Sequence, residues 1–143
     1  MLFVGLTMCF ASNPNLGTWK LNETKSKIAP GSSKNLTVTY AVDGDNIKGT
    51  IDGVDGQGKP THNEWTGKFD GKDYPVTGDP TSDTRAIKQI DEHKYDLTVK
   101  KGGTVTLTGK AVVSADGKTR TVTISGKDAS GKKVTSTAVY DKQ

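Results

Sequence analysis

The chain has 143 residues, of which 31% are hydrophobic, enough to close one core and too few for two. Its net charge of +4 comes from scattered lysines and only two arginines, Arg85 and Arg120, so it lacks the basic stripe with interleaved aromatics of a nucleic-acid binder. Gly and Thr are abundant, and the apolar residues alternate with polar ones, which is the pattern of half-buried strands and not of a disordered chain.

The first segment, "MLFVGLTMCFA", is apolar and uncharged, about as long as a signal-peptide h-region, and runs into small residues at Ala11 and Ser12. We read residues 1–12 as a signal-peptide-like leader, without a basic n-region, which points to a secreted or periplasmic protein. A buried first strand and a lipid anchor at Cys9 are the other readings, although Met8 is bulkier than that processing usually accepts. Both methionines and the single cysteine lie in this segment. The remaining 13–143, read as one barrel domain, has no sulfur and suits an oxidising compartment without a disulfide. The apolar run is shorter than the ~20 residues of a membrane span.

Beyond Asn13 the chain alternates strands with turns. Apolar residues recur at every second position in Leu36, Val38, Tyr40 and Val42, in Tyr95, Leu97 and Val99, and in Val122 and Ile124, the period that sends one set of side chains to one face of a strand. Between such runs stand "DGD" at 43, "DGQGK" at 55, "DGK" at 70, "KGG" at 101, "DGK" at 116 and "SGK" at 130, glycine clusters suited to hairpin turns. Hairpins in series predict an all-β antiparallel up-and-down meander of about 8–10 strands, closed into a barrel because closure removes the sheet edges. A shift of 73 residues lays 43–59 over 116–132 with identities at eight of seventeen positions; duplication and convergent turn chemistry both account for that.

The segment Trp65–Pro80 predicts a hairpin about Asp70-Gly71, with Trp65 opposite Val76, Gly67 opposite Tyr74 and Lys68 opposite Asp73. Trp65, Gly67, Phe69, Tyr74 and Val76 then share one face, with Tyr74 over the bare backbone of Gly67. In the next strand, "TRAIKQI", two registers are open: Ile87 inward carries Arg85 and Gln89 with it, whereas Ala86 and Ile90 inward carry Lys88. Either points a cation toward the interior, and Arg120 shares parity with Val122 and Ile124. A buried cation needs a carboxylate from the protein or a ligand, and the planar arginine fork suits the latter; solvated cations at the rim are the simpler alternative.

Chemistry-bearing motifs are few. His62 and Glu64 share the polar face of a strand, and His93 sits in the turn "DEHK". There is no nucleophile elbow, zinc-protease helix, phosphate loop or cysteine cluster, and Asp43, Asp52 and Asp55 lack calcium-loop spacing. No catalytic residue, metal or cofactor is assigned.

Both ends of the chain carry a resemblance. "GTWKL" (Gly17–Leu21) is similar to the first strand of the fatty-acid-binding proteins, its Gly-x-Trp core is shared with the lipocalins, and "VTSTAVYDK" (Val134–Lys142) resembles the last strand of the fatty-acid-binding proteins. The resemblance implies a calycin-superfamily barrel, with first and last strands adjacent, Trp19 packed at the closed end and a small apolar ligand inside. Two features depart from it: Ala138 stands where that family has an arginine two residues before the tyrosine kept here as Tyr140, and "NETKSKIAPGSSK" is too short for the family's helical pair. The expected function is therefore a lipocalin-like barrel binding a small, mostly apolar ligand, with Trp65, Tyr74, Arg85, Lys88, Arg120 and Tyr140 as candidate ligand-binding residues. A protein-interaction or inhibitor module with a side-chain-filled interior is the alternative, and a barrel-pocket isomerase or lyase, which would need an acid or base inside, is the third.

Overall fold

A computed structural model describes residues 13–127 and 130–143; the leader-like segment 1–12, with Cys9, lies outside the described residues. Ten antiparallel strands close into one up-and-down barrel. They are β1 (Gly17–Leu21), β2 (Lys34–Asp43), β3 (Asn46–Val54), β4 (Pro60–Gly67), β5 (Tyr74–Thr77), β6 (Thr84–Gln89), β7 (Lys94–Lys101), β8 (Thr104–Val113), β9 (Thr119–Lys127) and β10 (Lys133–Lys142). Each strand pairs with its sequence neighbour, and β1 closes the ring on β10 with Trp19 opposite Lys142 and Leu21 opposite Tyr140. The six turn clusters of the sequence each contain a glycine at positive φ, the conformation that a side chain would strain. Under the shift of 73 residues the bounds of β3 coincide with those of β9.

Alternation sorts inside from outside as expected. Val38, Tyr40, Ile51, Tyr95, Val99 and Tyr140 are buried, whereas Val42, at the β2–β3 turn, is exposed. One end of the barrel is packed shut. Trp19 is 0% exposed, its indole N–H donates to the Asn15 carbonyl at 3.0 Å, and the Lys142 ammonium lies 4.6 Å from its ring centre while donating to the Leu16 carbonyl. That placement fits what the resemblance implied for Trp19.

The predicted hairpin after Trp65 is only half correct. Trp65 does pair with Val76, and the Tyr74 ring lies over Gly67, where a Cβ would overlap it. The β4–β5 ladder stops at Trp65, however, and 68–73 folds toward β6 instead: Gly71 N–H donates to the Ile87 carbonyl at 3.0 Å, and Gln89 N–H to the Phe69 carbonyl at 3.1 Å. Asp73 pairs with Lys100 at 2.8 Å, not with Lys68. This detour swings Phe69 into the closed half of the barrel, where it stacks on Trp65 at 6.1 Å and meets Tyr40 and Tyr95 edge-on at 5.7 and 5.5 Å. Aromatic pairs of this kind contribute about 0.5–1.5 kcal/mol each beyond the area they bury, which is reason enough to give up a tight turn.

The opposite end is not closed by a helical pair. A single 3-10 turn, Glu23–Lys25, leads into a strap that first follows β10, with Lys27 and Thr137 exchanging backbone hydrogen bonds at 2.7 and 2.8 Å, and then turns into β2. No described helix is long and apolar enough to cross a membrane.

Candidate functional site

Between the aromatic floor and the strap the barrel is hollow. The cavity holds about 240 Å³, a little below the ~300–1,000 Å³ of common small-molecule pockets. Its wall is mixed, with Ile51, Ile87, Val99 and Val122 among the apolar lining residues, Ile28 reaching in from the strap, and Lys34, Asp55, Asp79 and Asp96 also at the lining. The two arginines of the chain line it as well.

Arg85 enters from β6. Of the two registers open in the sequence, Ile87 at 4% and Arg85 at 9% exposure are inside, while Lys88 and Ile90 are outside. Arg85 Nη2 donates to Asn63 Oδ1 at 3.5 Å, a long contact that leaves most of its donors uncommitted. Burial pushes its pKa down; Tyr40 and the Asp79 carboxylate oppose that, and Arg120 adds to it. Asp79 sits among the lining residues on the loop after β5. Burial works against its charge, but hydrogen bonds from Ser82 and Thr81 outweigh this and hold it below the usual carboxylate range.

Arg120 enters from β9, opposite Tyr140 of β10, and is 7% exposed. Its guanidinium carbon lies 5.6 Å from the ring centres of both Tyr40 and Tyr140, a sandwich of two cation–π contacts. Its Nε has no hydrogen-bond partner among the described residues. Among the described residues no carboxylate stands within ion-pair distance of either arginine, since all the ion pairs found involve lysines or His62. Burial pushes the Tyr140 phenol up to about 12 and that of Tyr95 likewise to about 12, so both stay protonated. The Tyr140 hydroxyl donates to the Asn35 carbonyl at 2.9 Å, and that of Tyr95 to Asn13 Oδ1 at 2.8 Å.

Of the candidate residues, Arg85, Arg120 and Tyr140 thus meet in one cavity. Trp65 and Tyr74 do not line it. Trp65 is 1% exposed and donates its indole N–H to the Arg85 carbonyl at 2.9 Å, so it braces the strand that carries the arginine; Tyr74 packs edge-on against Trp65 at 5.9 Å and donates to Asp70 at 2.7 Å. Lys88 is exposed, its stem covering Gly71. The sequence reading did not single out Tyr40, Asn63, Asp79, Tyr95 or Asn15 as lining residues. Parity with Trp65 marks Asn63 as inward, and the alternation of β2 and β7 marks Tyr40 and Tyr95; nothing in "NPN" distinguishes Asn15 from a turn residue. His62 stands on the outer face, its Nδ1 2.6 Å from Asp52 and its Nε2 3.6 Å from Glu64.

The fold and site define a closed ten-strand barrel with a chamber and two buried cations, an architecture compatible with a calycin-like fold. Comparison with known protein families and with curated proteins finds no match.

Proposed function

We propose that this protein is a carrier or receptor for a small, mostly apolar organic acid, held inside the barrel with its anionic group at Arg85 and Arg120. One observation supports this above the others: two guanidiniums, each at least nine-tenths buried, face a hollow chamber without a carboxylate in ion-pair contact among the described residues. Burying a charge is costly unless it is paired, and an arginine fork is complementary to a carboxylate. A fold keeps such a cost where binding uses it. The chamber size favours an acid with a single ring or a short chain. A calycin-like relationship and a secreted or periplasmic location, suggested by the terminal strands and by residues 1–12, belong to the same proposal.

The alternative, an interaction module with a filled interior, draws support from the closed half of the barrel, where Phe69, Trp65, Tyr40 and Tyr95 pack together. An NMR titration with 3-phenylpropionate separates the two. The carrier reading expects saturable shifts of the Nε–H resonances of both arginines and of the methyl groups of Ile51 and Val122. Shifts confined to outer loops, or none with either this acid or the neutral 3-phenylpropanol, would overturn it.

A further inference from the structure

The inner face of β4 carries Asn63 among apolar neighbours, with Ile51 opposite it across the β3–β4 ladder and Trp65 two residues on. Asn63 is 9% exposed, lines the chamber and meets Arg85, its Oδ1 accepting from Nη2 at 3.5 Å. A guanidinium has only donors, so the oxygen end of the amide is turned to Arg85 and the NH2 end away from it. That NH2 end makes no hydrogen bond among the described residues. Nor is it one of their buried unpaired atoms, which belong to Asn15, His93 and Arg120, so it keeps surface open to the chamber that Asn63 lines. The acidic lining residue on the loop after β5 is tied elsewhere: Asp79 Oδ1 accepts from the Thr81 N–H and hydroxyl at 2.9 and 2.7 Å, and Oδ2 from the Ser82 hydroxyl.

Resting on the carrier reading above, we propose that Asn63 is a specificity-determining residue of the chamber: its oxygen orients the Arg85 fork without neutralising it, and its Nδ2–H donates to the ligand's anionic group beside that fork. The residue type at this position leads to the conclusion. An aspartate here would be of nearly the same size, would stand within ion-pair reach of Arg85 and would supply the carboxylate that the site lacks. A ligand acid would then be repelled. The amide instead keeps the acceptor, leaves the charge unmet and adds a neutral donor. A carboxylate has only acceptor oxygens, so it can take hydrogen bonds from Arg85 and Asn63 together. A neutral alcohol on the same skeleton brings one oxygen and no charge, and leaves the guanidinium without a counter-ion.

The test uses the full chain with 3-phenylpropionate and its neutral counterpart, 3-phenylpropanol. In an NMR titration of the unaltered protein, the side-chain NH2 pair of Asn63 is expected to shift with the acid along the same saturation curve as Arg85 Nε–H, and to stay in place with the alcohol. By isothermal titration calorimetry at neutral pH, Asn63→Asp weakens binding of the acid by at least about a hundredfold, the effect of setting a like charge against it, while affinity for the alcohol stays within about threefold. Acid binding that moves Arg85 Nε–H but not the Asn63 NH2 pair, or an Asn63→Asp variant that binds the acid as the unaltered protein does, would overturn the assignment of Asn63 and leave the carrier reading standing. Failure of the acid to bind the unaltered protein would sink both. The NMR titration decides the matter even if the variant does not fold.

Discussion

Arg120→Met separates a guanidinium kept for binding from one kept for structure. Arg120 is 7% exposed and makes no ion pair among the described residues, and burying an ion carries an effective penalty of several kcal/mol. The two tyrosine rings at 5.6 Å offset part of it, at about 0.5–2 kcal/mol apiece. Methionine keeps an unbranched apolar stem in the same place and removes the charge. Replacement of buried ionic groups by apolar ones is often neutral or stabilising by about 1–4 kcal/mol; after subtracting the lost ring contacts, we expect a gain of about 0–2 kcal/mol. Urea unfolding followed by tryptophan fluorescence reads this as an unchanged or higher midpoint at constant slope. Binding of 3-phenylpropionate by the same variant should fall by at least about a hundredfold, as expected when one partner of a buried charge pair is removed. A loss of stability above about 1 kcal/mol, with acid binding retained, would show that Arg120 is a structural strut and would refute the reasoning.

Three further predictions concern the frame. Phe69→Ala removes the ring at the centre of the closed-end cluster and should cost about 3 kcal/mol, the low end of the Phe→Ala range because Phe69 is only half-buried; a midpoint shift equivalent to less than about 1 kcal/mol would show that the detour of 68–73 does not hold the floor. Gly67→Ala drives a methyl into the Tyr74 ring and should destabilise by roughly 1–3 kcal/mol, most of it relieved in the Gly67→Ala, Tyr74→Ala double variant; additive losses would contradict the contact. His62 has a raised pKa, chiefly through its hydrogen bond to Asp52. Its contribution is therefore fully present below the unfolded value of 6.5 and disappears as pH rises through the higher folded value. Thermal midpoints measured from pH 6 to 9 should show a small decline that His62→Gln flattens, and an unchanged profile in the variant would remove the pairing from the account.

The meander was legible in the sequence because two local signals agree at nearly every element. Period-two runs such as Leu36–Val42 give the faces, and Asp-Gly clusters give the turns. The site was legible in part. Parity brought Arg85 and Arg120 to the inner face, but choosing between the Ile87 and Ile90 registers of β6 required the neighbouring strand, where Arg85 stands opposite Val99 and Ile87 opposite Leu97. Trp65 and Tyr74 are candidates because the two chain ends resemble a family with a pocket; the idealised hairpin, which keeps 68–73 in the ladder, puts them on the inner face without deciding between packed core and pocket wall. What moves that segment is a tertiary preference, the packing of Phe69 against Tyr40 and Tyr95, which are distant in sequence. Asn15 carried no local signal, since an asparagine beside a proline reads as a turn whether or not its amide is later buried. A bulge between Asn35 and Thr37 likewise takes Leu36 out of the alternation that its run suggests.

The most direct measurement is native mass spectrometry of the protein isolated from its own source without denaturation. The account predicts a retained small molecule that, once released, ionises as an acid. A chain that arrives empty, and then binds no 3-phenylpropionate when it is added, would contradict the claim that the hollow between Arg85 and Arg120 is a binding site.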